Sequence, residues 1–231
     1  MDFSVVFEKA TPILLAGIKL TIGISLLSIL IGFFLGLIAC LMGMSKFRVF
    51  RLISGAYVWI IRGTPMLVQA FIVFFGVPQV VQLFISGFKF TPFVAGVITL
   101  SLNAGAYLSE IFRGGIQAVD KGQMEAARSL GLSKSRAMIR VVLPQAFKIS
   151  IPSLVNQFII TIKDTSILSV IGLAEVVNKA KTYVGSTYRF FETYVYVAGL
   201  YLVVISVLMI ISKMLEKRLN NDKKSKSNRS A

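Results

Sequence analysis

The chain has 231 residues, 55% of them hydrophobic and only 15% charged, whereas soluble domains carry about a quarter charged residues. Its formal charge of +15 would suit a polyanionic partner, but basic residues gathered between long apolar runs have a topological explanation instead. With no histidine and a single cysteine, Cys40, inside an apolar run, the composition argues against metal sites, His-based catalysis and a disulfide framework.

About 20 apolar residues cross the hydrocarbon layer as a helix, and several runs here are that long. The start, MDFSVVFEK, lacks the basic opening of a cleavable leader, so the first run is expected to remain as a span. That span is placed at Pro12 to Met44, with Pro12 in its first turn. After the basic loop SKFRVFR comes a second span, Leu52 to Val81, interrupted by Arg62-Gly63-Thr64-Pro65. A proline there removes a backbone donor and disfavours helix at Thr64, which predicts a kink or break. The third span runs from Pro92 to Arg113. A polar segment, 120–140, leads to the fourth, Val141 to Ile162, kinked by Pro152. The fifth spans Thr193 to Ile211. Residues 1–219 make one transmembrane domain, and 220–231 read as a basic, disordered tail. Among the intervening stretches, Ser166 to Lys181 has partial helical periodicity and is expected to cap one mouth of the bundle. The fold class is all-α, a polytopic membrane protein with five transmembrane helices.

Seventeen of the 25 Lys and Arg lie in the loop after span one, between spans three and four, and at the end of span five with its tail. That side is expected to be cytoplasmic. The N-terminus then lies outside, the C-terminus inside, and Glu125 to Pro144, EAARSLGLSKSRAMIRVVLP, is a cytoplasmic loop. As a helix from Lys121 it is amphipathic. Gly131 can end its first half in a left-handed conformation, and Ser133 can cap the next helix. Ala126 and Ala127 remove bulk, so another backbone could approach. On spacing alone a plain topology anchor serves as well.

The segment resembles the signature of ABC-importer permeases: EAA, three residues, Gly, nine residues, then Ile-x-Leu-Pro. Glu125, Ala126 and Ala127 are followed by Gly131 and by Val141-Val142-Leu143-Pro144, with Val141 where Ile is usual. RGTP, SEIFRGGI (Ser109 to Ile116) and KDTS (Lys163 to Ser166) are similar to the subfamily that imports polar amino acids such as histidine, glutamine and arginine. The resemblance implies a type I importer fold in a bacterial cytoplasmic membrane. It further implies a coupling helix that docks on a separate ATPase dimer through Glu125, Ala126, Ala127, Gly131, Leu143 and Pro144. A second permease chain, identical or sister, and an extracytoplasmic amino-acid-binding protein complete the assembly. ATP and Mg belong to the ATPase. This chain has no P-loop pattern and is expected to hold no cofactor or metal and to be no enzyme itself.

Polar groups inside a bilayer are functional candidates. On span three, Asn103 and Glu110 share a face with Thr99. On span four, Asn156, Gln157, Thr161 and Asp164 form a second stripe with Ser153, and Lys163 stands at its end. These are candidates for a solute path, although interhelical hydrogen bonding would use Asn and Gln equally well. Arg62, Gly63 and Pro65 are structural or gating candidates, with Arg62 free to snorkel or to pair with a carboxylate. Glu110 and Arg113 can pair across chains or hold the entry to the polar segment. Asp164 and Glu110 would favour a cationic solute such as arginine, lysine or histidine. The alternative from another class is a self-contained ion-coupled transporter or channel, disfavoured by the lack of an internal repeat.

Overall fold

The computed structural model describes residues 3–227. Among them there is no strand, and ten α-helices follow one another as α1 (Phe3–Gly43), α2 (Arg48–Gly63), α3 (Met66–Phe71), α4 (Val77–Val81), α5 (Pro92–Gln117), α6 (Lys121–Ser129), α7 (Lys134–Ala137), α8 (Leu143–Asp164), α9 (Val176–Thr187) and α10 (Phe190–Ser227). Four continuous helical stretches are long and apolar enough to cross a membrane, and the bent pair Arg48–Gly63 and Met66–Val81 makes a fifth if counted as one span. That is the all-α, polytopic architecture expected.

Several boundaries differ. Pro12 lies inside α1 and not at its start. The helix begins at Phe3 because Val6 and Ala10 bury against Tyr183 and Val197, burial that a hydropathy run does not register. At 41 residues the helix is about 60 Å long at 1.5 Å per residue, so it tilts or projects beyond a ~30 Å core. At the other end α10 continues to Ser227, through most of the stretch expected to be disordered. No Gly or Pro between Leu200 and Ser227 stops it. Residues 228–231 lie outside the described residues.

The break at Thr64-Pro65 is real and large. Thr64 is extended (φ −122°, ψ 146°), as a residue before proline prefers, and the flanking helices are bent by 107°. Two other prolines act more gently. A π-helical turn, Ile72–Gly76, precedes Pro78, and a second, Met138–Val142, precedes Pro144. Each proline withholds one N–H from the ladder, and the wider turn takes up the fault.

Helix α5 is the centre, with 61% of its most apolar stretch buried inside the chain, against 6% for α10. It packs on α1 through small residues. A Cβ on Gly36 would sit 2.8 Å from Leu108 Cβ and 2.9 Å from the Gly105 carbonyl, and one on Gly32 would sit 3.0 Å from Ala104 Cβ. The outer face of α1 carries Leu26, Leu30, Phe34, Ile38 and Leu41, all exposed and spaced to face lipid. Helix α2 is fastened across this pair by Ser54 Oγ donating to the Ala39 carbonyl (2.7 Å) and Tyr57 Oη donating to the Leu102 carbonyl (2.7 Å). Gly36→Leu is expected to lower the melting temperature in detergent, overpacking costing about 1–3 kcal/mol or more. Gly23→Leu, at a position with nothing within 4 Å of an added Cβ, should leave it unchanged; equal effects would show that the α1–α5 contact is not the tight one.

Candidate functional site

The polar segment folds as a helical elbow. Asp120 caps α6, its Oδ1 accepting from the Gly122 N–H at 2.6 Å. The helix ends at Ser129 with Leu130 as its C-cap, and Gly131 is left-handed at φ +84°, where a side chain would be strained. Leu132 N–H donates to the Ala127 carbonyl (3.2 Å) and Gly131 N–H to that of Arg128 (3.0 Å), which satisfies carbonyls the helix end would leave open. Ser133 then caps α7, accepting from the Arg136 N–H at 3.4 Å. Ala127 and Ala137 turn inward, while Glu125, Ala126 and Gly131 are exposed and Leu130 is 86% exposed. A large apolar side chain held at the apex of a capped turn is left almost uncovered by the described residues.

Both roots of the elbow are fixed. Val119, Val142 and Ala146 form a small core with Met124 and Met138 packed against it, and Gln145 Nε2 donates to Gln123 Oε1 (3.2 Å). Leu143 and Pro144 form the first turn of α8. There α5 and α8 cross so closely that a Cβ on Gly115 would lie 2.0 Å from Ser150 Oγ.

Asn103 is buried and donates through Nδ2 to Gln69 Oε1 at 3.1 Å. Gln69 Nε2 in turn donates to the carbonyls of Ile61 (2.7 Å) and Thr64 (3.0 Å) and to Thr64 Oγ1 (2.9 Å). One amide therefore satisfies the backbone opened by the RGTP break, and Asn103 holds that amide in place. Arg62 and Glu110 also meet at this break. Arg62 Nη1 and Arg113 Nη2 both reach Glu110 Oε2, at 3.2 and 2.5 Å, and the Arg62 guanidinium lies 5.3 Å from the centre of the Tyr107 ring. Glu110 thus pairs within the chain. The pairs, with Gly63, line a cavity of about 570 Å³ between α1, α2 and α5.

The polar stripe of α8 is divided. Gln157 and Thr161 are buried, with Thr161 Oγ1 donating to the Gln157 carbonyl (2.9 Å), while Ser153, Asn156 and Lys163 are exposed. Asp164 is half-buried with no ion pair among the described residues. None of these residues lines the cavity that holds Glu110.

Two polar residues outside the sequence expectations are prominent here. Gln69 is the first; its only sequence signal is an amide four residues past RGTP in an apolar run. Glu175 is the second: fully buried, it caps α9 through the N–H groups of Val177 (2.9 Å) and Asn178 (2.7 Å). Burial pushes its carboxyl above the usual range, and those two N–H groups pull the other way. It delivers Val176 onto α1, where a Cβ on Gly17 would sit 2.6 Å from Val176 Cα.

Asn103→Leu leaves Gln69 Oε1 unpaired in the interior. A loss of about 1–3 kcal/mol of stability is expected, read as a lower melting temperature in detergent. A variant with wild-type stability but altered solute uptake would instead make Asn103 a solute contact.

Over residues 28–221 the chain matches the family of binding-protein-dependent transport system inner membrane components. It is 39% identical to the arginine transport system permease protein ArtQ of Bacillus subtilis, over 96% of this chain and 99% of that one. It is 41% identical to the L-cystine transport system permease protein TcyB of the same organism, over 95% and 92%. It is also 36% identical to a putative glutamine transport system permease protein GlnP of Rickettsia bellii, over 94% and 98%. A crystal structure of an amino acid ABC transporter with histidines superposes with a TM-score of 0.88 at 39% identity, covering 94% of this chain and 99% of that one. The MetNI methionine ABC transporter, in an inward-facing conformation, shares the fold at a TM-score of 0.74 and 16% identity, over 92% and 98%. The chain belongs to the binding-protein-dependent transport system inner membrane components: it is a multi-pass membrane permease subunit of the ABC importer type, and not itself an enzyme.

Proposed function

We propose that the chain is the permease of an ATP-driven amino-acid importer and that the α6–α7 elbow docks it on a separate ATPase dimer, which binds ATP and Mg. The observation that carries the docking is Leu130, 86% exposed at an apex between a capped end of α6 and a capped start of α7, with both roots packed. A surface so shaped suits a partner's groove. Glu125, Ala126 and Gly131 border it, and Ala127, Leu143 and Pro144 hold it in place. The elbow lies on the cytoplasmic side, where most of the basic residues collect, with the N-terminus outside. A second permease chain and an extracytoplasmic amino-acid-binding protein complete the importer.

The solute class follows the relatives, whose names specify arginine, cystine and glutamine. A basic amino acid is favoured by Asp164 alone, since Glu110 is neutralised by two arginines. Lys163, Asn156, Gln157 and Thr161 accompany Asp164 on α8, and Asn103 and the Arg62-Gly63-Thr64-Pro65 break stand across the bundle as supporting and gating elements.

Tagged chain purified from its native membrane in mild detergent is expected to bring down an ATPase. Leu130→Asp, which leaves the cap intact, should reduce the yield at least about tenfold, equivalent to about 1.4 kcal/mol, without changing the melting temperature. Gly131→Arg should do the same with a further loss of stability from strain. If wild type and both variants fold and none retains an ATPase, the elbow is a topology anchor and a self-contained transporter takes its place.

Asp164→Asn should slow uptake of arginine more than that of glutamine in vesicles holding the assembled importer. Equal slowing would remove the preference for a basic solute.

A further inference from the structure

Three arginines and one glutamate, Arg51, Arg62, Arg113 and Glu110, stand on the wall of the cavity between α1, α2 and α5. The wall therefore carries two uncompensated positive charges. Arg62 and Arg113 spend one contact each on the same Glu110 oxygen, and Arg51 commits only Nη1, to the carbonyls of Ser45 and Lys46 at 2.9 Å each. A guanidinium has five N–H donors in a planar fork that matches phosphate, so most donors here have no partner among the described residues. Excess charge against a bilayer is costly, which calls for a counter-anion.

The surroundings say what kind. The helix that supplies Arg51 and Arg62 turns Leu52, Ile53 and Ile60 outward, each more than half exposed, and Trp59 on the cavity wall is 77% exposed. An anion with apolar tails would cover both the charged recess and that face. A free anion would leave the face bare. Space is available, because Gly55 lines the cavity and has nothing within 4 Å of an added Cβ.

We propose that this recess binds the phosphate headgroup of an anionic phospholipid, with the phosphate against Arg51, Arg62 and Arg113 and the acyl chains along the outer face of α2. Basic pockets between transmembrane helices bind such headgroups. The site is independent of which solute the permease carries and of its ATPase.

Trp59 is the chain's only tryptophan, so its emission reports on this place alone. The purified full chain is reconstituted in phosphatidylcholine vesicles containing a small fraction of either brominated phosphatidylglycerol or brominated phosphatidylcholine; bromine quenches tryptophan on contact. Quenching by the phosphatidylglycerol is expected to reach half its maximum at a mole fraction roughly thirtyfold lower, as two net charges at about 1 kcal/mol each would give. Arg51→Gln with Arg113→Gln should bring the two lipids close to parity. Gly55→Leu, which fills the recess and keeps every charge, should do the same. Equal quenching by both lipids in the wild type would overturn the proposal, as would a preference that survives the filled recess. Recovery of Trp59 emission on adding inorganic phosphate at constant ionic strength would mark a free-anion site and overturn the lipid assignment.

Discussion

Inside hydrocarbon an unpaired backbone N–H or C=O has no water to turn to, and each one costs several kcal/mol. A helix that bends by 107° within such a span must therefore find partners for the groups it frees, and the remaining geometry follows from how it does so. Gln69 supplies the donors that Ile61 and Thr64 need, Thr64 Oγ1 donates to the Ile60 carbonyl at 2.8 Å, and Asn103 fixes the amide. With the break satisfied, α2 can cross α1 and α5 while α3 turns away. That crossing creates the recess between them. The faults before Pro78 and Pro144 need no such strap, because a π turn absorbs a single missing donor without exposing a run of carbonyls.

Packing among the spans follows side-chain size more than polarity. Lipid is as apolar as leucine, so burying apolar surface between helices gains little, and close contact of small residues takes over. Helix α1 shows this plainly. From Gly17 on, its buried stripe is mostly small, with Gly17, Thr21, Ser25, Ser28, Gly32, Gly36 and Ala39 beside Ile18 and Ile24, while Leu26, Leu30, Phe34, Ile38 and Leu41 point outward. A hydropathy plot sees one uniform run there. The inward face was still legible in principle, as small residues recurring every three or four positions.

The same distinction separates what could be read from sequence from what could not. The elbow was readable because its rules are local: a left-handed glycine, a serine cap and a proline entry depend on neighbours a few residues away. The RGTP break was readable for the same reason. The polar residues of the spans were not. Asn103 faces an amide 34 residues distant, and Glu110 meets Arg62 across a helix crossing; neither partnership follows from spacing on one helix. The stripe on α8 was a single face by periodicity, yet the pattern does not say which edge of that face meets neighbouring helices.

Rigidity is unevenly distributed around the elbow, and that bears on where motion would go if a partner pulled on it. At its base α5 and α8 are in backbone-close contact: Gly115 has no room for a single extra carbon against Ser150, and Ser150 Oγ donates within α8 to Ala146 (2.9 Å) and contacts the Ile111 carbonyl of α5 at 3.4 Å. Close-packed contacts of this kind do not deform gradually. The seam between α5 and the end of α2 is different, held by one ion pair, Arg62–Glu110, whose Arg62 side chain is 41% exposed, a type worth about 0–1 kcal/mol, and flanked by empty volume in place of packed side chains. A displacement of the elbow would therefore carry α5 and α8 together and open first along α2. The Gln69–Asn103 bond about two turns beyond along α5 sets how far the opening could spread before it exposed the broken backbone.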